Sequence, residues 1–237
     1  MTQLTPHGAR DASYDAFLSR YPEYCATARV DELREREFSR LDEQGHGYLD
    51  YTAGGLYAAS QVRRHAERLV ASVLGNPHSN NPASVRSTEM VEASRRHVLR
   101  FFNASPDEYG VVFTANASQA LKLVGEAYPF EAGDQFLLTF DNHNSVNGIR
   151  EFDRARGART PYVPVLPPEL TADESTLERM LAERPLGGRN LFAYPAQSNF
   201  SGVQHPLEWI ERAQRLDWDV LLDAAAFVPT NCLDLGQ

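Results

Sequence analysis

From Tyr109 to Leu222, five short apolar runs alternate with helical patterns, and this alternation constrains the fold more than any other feature. The runs are Tyr109–Thr114, Gln135–Phe140, Thr160–Val165, Asn190–Tyr194 and Asp219–Leu222. Helical spacing of apolar residues fills 117–128, 145–156, 173–184 and 206–216 between them. Short strands without polar alternation, separated by helices, predict an open, mostly parallel α/β sheet buried on both faces. Such sheets hold their ligands beyond the carboxyl ends of the strands, so the segments after each run are where chemistry is expected.

Upstream, the sequence reads as helical over 11–43, 57–74 and 83–102. Gly45-His46-Gly47 breaks the first pattern, Gly75-Asn76-Pro77 stops the second, and His78–Pro82 is a loop. This divides the chain into a helical segment, 1–47, and a ligand-binding domain, 48–237. With 42% apolar residues, 237 residues suffice for a packed core. A net charge of −9 without a basic run argues against nucleic acid and anionic membranes as partners. No apolar stretch approaches the roughly 20 residues that span a bilayer. The first residues lack a basic-then-apolar leader. Cys25 and Cys232 make no disulfide framework, which predicts reduced thiols in the cytoplasm, with Cys232 read as a small buried residue. The seven histidines are scattered, and no metal site is expected.

Four strand-end segments carry polar residues. Thr114-Ala115-Asn116-Ala117-Ser118 opens a helix; small residues there suit either an ordinary cap or an anion held by the N–H groups of Ala117 and Ser118. His143, in Asp141-Asn142-His143-Asn144-Ser145, is either an incidental loop residue or a ring that stacks on a flat ligand. Gln197-Ser198-Asn199-Phe200-Ser201-Gly202 supplies side-chain donors. Asp223 follows the apolar Val220-Leu221-Leu222, where a carboxylate is costly unless it caps a turn or meets a cation. An anion cradle, a stacking ring, amide donors and a carboxylate on one sheet edge together suit pyridoxal 5'-phosphate.

At this point the sequence resembles the class V, fold type I pyridoxal-phosphate enzymes, the group of cysteine desulfurases. The resemblance runs from Tyr48 to Leu235 and includes Tyr48–Gly55, Asn76-Pro77-His78-Ser79 and the four strand-end segments above. Ser198–Gly202 followed by Leu221–Leu235 is most similar to the molybdenum cofactor sulfurase branch. The resemblance implies a cofactor site in which Ala117 and Ser118 hold the phosphate, His143 packs on the ring, and Asn199 meets the 3-oxygen. Asp223 pairs with the ring nitrogen, and Ala225 lies in the same contact set. It implies a cysteine substrate and transfer of its sulfur, with a C–S lyase, an epimerase or a non-catalytic binding module as alternatives. Ala226 stands where many desulfurases carry Gln. The cofactor-bonding lysine of the group falls past residue 237, and Lys122, the one lysine in the sequence, does not match it. The group's sheet also places the first strand at the far side, separated from the fifth by a sixth and a seventh that lie beyond these residues. The expected architecture is therefore an incomplete fold type I large domain with an unpaired Tyr109–Thr114 and an open fifth-strand edge. A C-terminal half or a second copy is the expected partner.

Overall fold

A computed structural model describes residues 12–52, 54–185 and 187–236. The residues before Ala12, on which the leader reading rests, lie outside it, as does Ala53 of the Tyr48–Gly55 motif. The chain forms two compact units, the first ending at Glu92 and the second beginning at Ala93.

The first unit is helical. The pattern over 11–43 becomes α1 (Ala12–Arg20), a 3-10 turn over Pro22–Thr27, α2 (Ala28–Phe38) and α3 (Arg40–Glu43). Its apolar stripe is aromatic: the Phe17 ring lies 5.1 Å from both Tyr21 and Tyr24. Helix α4 (Ala59–Ala71) starts where the Ser60 N–H donates to Glu37 Oε2 at 2.8 Å. Helix α5 (Pro82–Phe101), whose residues from Ala93 on belong to the second unit, has proline at its first position, and Asn81 Oδ1 accepts the Ser84 N–H at 3.0 Å, an N-cap.

The second unit contains the sheet. Four parallel strands stand in the order β2 (Tyr162–Val163), β1 (Gln135–Thr139), β5 (Asn190–Pro195), β6 (Asp219–Asp223). Leu138 sits opposite Ala193, and Pro195 opposite Asp223, so three strands finish side by side. Alternation along the strands splits the core in two. Leu137, Phe192 and Tyr194 pack with Leu177, Leu181, Trp209 and Trp218 on one face. Phe136, Leu138 and Ala193 pack with Leu121, Val146 and Ile149 on the other. The covering helices are α6 (Ala117–Ala127), α7 (Asn144–Asn147), α8 (Arg150–Ala155), α9 (Glu174–Ala182) and α10 (Trp209–Gln214). The 145–156 pattern is split at Gly148 and Ile149, which keep helical dihedrals but tighten to three-residue hydrogen bonds, Ile149 N–H to Val146 O at 3.0 Å and Glu151 N–H to Gly148 O at 3.3 Å.

The structure departs from the sequence expectations at the Thr160–Val165 run and at Cys232. Tyr109–Thr114, read from sequence as a strand lacking its neighbour, joins no sheet among the described residues, leaving Val112 69% and Phe113 51% exposed. Its apolar content requires neighbouring strands to become sheet, and none of the six described strands pairs with it. The Thr160–Val165 run supplies only the two-residue β2 before the chain turns into a hairpin of β3 (Val165–Leu166) and β4 (Thr171–Ala172). Cys232 is also exposed, as is Cys25, because it lies in irregular chain beyond the turn that follows β6.

Helix α6, which begins at the expected anion cradle, is pressed closely onto α8. A Cβ at Gly125 would stand 2.7 Å from Phe152 Cδ2. Alanine there gains about 0.5–1 kcal/mol of helix propensity and loses about 1–3 kcal/mol to overpacking. Gly125→Ala is therefore expected to lower the thermal midpoint. An unchanged or higher midpoint would show that Phe152 swings aside freely.

Candidate functional site

The carboxyl ends of β1, β5 and β6 carry the polar segments singled out from sequence, and hydrogen bonds tie several of them together. At the start of α6, Asn116 is the N-cap: its Oδ1 accepts the Gln119 N–H at 2.9 Å. The N–H groups of Ala117 and Ser118 donate to no described acceptor, leaving two aligned donors at the positive end of an eleven-residue helix. The Ser118 and Ser145 hydroxyls lie 2.6 Å apart, which joins this turn to the segment after β1.

His143 is exposed at the head of α7, and its Nδ1 accepts the Ser145 N–H at 3.1 Å. The chain just before it is buried and tightly held. Asn142 Nδ2 donates to Thr139 O at 2.9 Å, Thr139 Oγ1 at 3.1 Å and Ala193 O at 3.0 Å. The Asn142 carbonyl accepts from Asn147 Nδ2 at 3.0 Å. Asp141 Oδ2 accepts from His205 Nε2 at 2.8 Å, with both side chains buried. Burial pushes the Asp141 carboxyl up, but the hydrogen bond and charge of His205 outweigh it and hold the group below its ordinary value.

The segment after β5 turns back on itself through Gly202, whose φ of 76° suits glycine. The Ser198 N–H donates to Val203 O at 2.8 Å, and Gln197 Oε1 accepts from Gln204 at 3.1 Å and Asn231 at 3.3 Å. Asn199 is exposed at the tip of this turn, and its side-chain amide has no described partner. Asp223 ends β6 half-buried. Its Oδ1 accepts the Ala225 N–H at 3.0 Å, and its main-chain carbonyl accepts the Ala196 N–H at 2.8 Å. The carboxylate therefore caps the next turn with one oxygen and keeps the other.

Direct contacts thus join Ser118 to Ser145, Ser145 to His143, and Asp223 to Ala225. Asn199 is placed on the same edge without touching the others. Lys122 lies exposed on α6 in an ion pair with Glu126. Sequence reading missed the structural partners: Asn142, and the Asp141–His205 pair. Their one available signal was position, since Asp141 follows the second apolar run and His205 the fourth. Among the described residues no cluster of His, Cys, Asp and Glu suits a metal ion, and no helix is long and apolar enough to cross a membrane.

The parallel sheet with its flanking helices matches part of the large domain of fold type I pyridoxal-phosphate enzymes. The chain belongs to the class V aminotransferase family, which matches residues 47–237. It is similar to the molybdenum cofactor sulfurase of Homo sapiens, with 38% identity over 97% of this chain and 26% of that protein. The molybdenum cofactor sulfurase of Arabidopsis thaliana shows 33% identity over 94% and 32%. The chain therefore spans about a quarter to a third of these curated relatives. Among solved structures, the apo cysteine desulfurase of Thermococcus onnurineus NA1 superposes with a TM-score of 0.69 at 25% identity, covering 81% of this chain and 46% of that one. A cysteine desulfurase of Escherichia coli gives 0.61 at 20% identity over 94% and 51%, a likeness of fold.

Proposed function

We propose that this chain is the cofactor-binding part of a sulfur-transferring enzyme of the molybdenum cofactor sulfurase type, with pyridoxal 5'-phosphate as cofactor and cysteine as substrate. The observation that carries this reading is the pair of uncommitted N–H groups at Ala117 and Ser118, closed by the Ser118–Ser145 hydroxyl contact, at the carboxyl edge of the sheet. Those donors fit a phosphate dianion, which the helix end stabilises by charge as well as by hydrogen bonds.

When bound, the cofactor supplies an electron-withdrawing pyridine ring that weakens the bonds at a substrate's amine-bearing carbon. The chain's own residues do the rest. Ala117 and Ser118 anchor the phosphate, with the Ser118 and Ser145 hydroxyls turned onto it. His143, exposed at the head of α7, would pack against the ring and exclude water from it. The Asn199 amide donates to the 3-oxygen. The free oxygen of Asp223 holds a proton on the ring nitrogen, because an anion favours the charged form of its neighbour. The Ala225 N–H keeps that carboxylate aimed by binding its other oxygen. Residues 48–237 form the cofactor domain, and ahead of it the described residues supply the helices of Ala12–Glu43. The open β6 edge and the unpaired Tyr109–Thr114 suit strands supplied by a C-terminal half. Two exposed free thiols fit the cytoplasm.

The 237-residue chain is expected to bind pyridoxal 5'-phosphate reversibly, read by equilibrium titration of cofactor absorbance. Borohydride treatment should leave no pyridoxyl label on Lys122, which is committed to Glu126. Failure to bind, or a label mapped to Lys122, would overturn the assignment of these roles.

A further inference from the structure

We propose that Asp141 and His205 form a positioning pair that sets where His143 stands over the cofactor ring, an inference that rests on the cofactor reading above. The two side chains are 6% and 2% exposed and meet at 2.8 Å across 64 residues of sequence. They join the segment that carries His143 to the segment that carries Asn199, the two flanks of a flat ligand. Packing fixes the His205 end: its ring stacks on Trp209 at 5.2 Å and meets the Tyr194 ring edge-on at 6.5 Å.

This pair is a poor way to gain stability. A buried carboxylate forfeits its hydration, and the other oxygen, Asp141 Oδ1, has no hydrogen-bond partner. Apolar residues of similar size would fill the same space at no such cost. What they could not supply is direction. A hydrogen bond fixes distance and angle between two loops, whereas apolar packing fixes neither as tightly. The constraint reaches His143 through one buried residue. Asn142, next in the chain, is bound to Thr139 and Ala193, so the strand ends hold it while Asp141 sets the approach of the chain. Beyond His143, the Ser145 hydroxyl ties the other side to the phosphate turn. His143 is thus suspended between two anchors, one to the phosphate and one, through Asp141, to the loop after β5.

The deciding variant is the double substitution Asp141→Leu with His205→Leu, which removes the directional bond while keeping an apolar contact. It should fold with a thermal midpoint at or above that of the parent chain. Its affinity for inorganic phosphate should be unchanged, its affinity for pyridoxal 5'-phosphate at least tenfold lower, and the induced circular dichroism of the bound ring much reduced. Amide exchange at Ser145 and Val146 should be at least tenfold faster, with the strands unaffected. Asp141→Asn keeps the bond without the charge and should restore parent values within about twofold, about 0.4 kcal/mol. Equal affinities for both ligands, or unchanged exchange at Ser145 and Val146, would overturn the proposal. If the leucine pair does not fold, Asp141→Asn decides: a tenfold loss of cofactor affinity with phosphate binding intact also overturns it. If the parent itself binds no pyridoxal 5'-phosphate, the cofactor reading falls, and amide exchange still decides whether the pair holds His143.

Discussion

His205→Ala is expected to cost about 3–5 kcal/mol of unfolding free energy at neutral pH, the usual consequence of removing one member of a buried pair. Two losses combine. Asp141 is left buried with neither oxygen satisfied, and Trp209 loses the ring stacked against it. The dependence on pH follows from the direction of the Asp141 shift. In the parent the carboxyl lies below its ordinary value, because His205 outweighs the effect of burial. The stability it contributes is therefore fully present above the unfolded value of about 3.9 and disappears as pH falls through the lower folded value. In the variant the lowering due to His205 is lost while burial still raises the carboxyl, so the folded value moves up and the group contributes less stability at neutral pH. The deficit between the two proteins should be largest near pH 7 and shrink below about pH 4. Urea unfolding at several pH values measures it. A deficit that does not change with pH would show that lost packing, rather than the stranded carboxylate, sets the cost.

A comparable effect on binding is expected at the other end of the site. Ser118→Asp places a carboxylate beside the two free N–H groups of α6. An acidic residue in the first turn of a helix is stabilising by about 0.3–1 kcal/mol, so the fold should tolerate it. The phosphate of the cofactor should not. Like charges in contact cost several kcal/mol, which corresponds to at least a hundredfold loss of affinity for pyridoxal 5'-phosphate. Inorganic phosphate should be lost in parallel, since the same donors serve both. Ser118→Ala removes one hydroxyl and keeps the N–H groups, so its loss should be about tenfold, the worth of one hydrogen bond to a charged group. Retained affinity in Ser118→Asp would place the anion elsewhere in the molecule.

The four paired strands were legible because each is a run whose two faces are both apolar, a pattern local to a few residues. Phe136 and Leu137 announce a strand buried on both sides without reference to anything else. Pairing is not local. Tyr109–Thr114 carries the same composition, yet composition cannot supply the neighbours that would make it a strand, and it stands apart from the sheet. The split of the 145–156 pattern is hidden for a related reason, as apolar helical spacing survives a local tightening at Gly148. At the site, single residues at strand ends could be named, since each sits beside a motif. The contacts between them could not. In the sequence Ser145 is only one residue of a polar loop, and its bond to Ser118 depends on how α6 and α7 pack. His205 had no distinguishing neighbour in sequence, and its partner is 64 residues away.

Both tryptophans of the sequence, Trp209 and Trp218, sit 2% exposed in a single cluster on one face of the sheet. The first unit has none. All indole emission therefore originates in the second unit, from side chains packed against Tyr194, Leu177 and Leu181. The molecule carries its own optical label for one half only. Emission reports when the sheet opens, while far-ultraviolet dichroism follows helices in both units. Superimposable melting curves from the two signals would mean that the units unfold together; displaced curves would assign the later or earlier step to the sheet without any added probe.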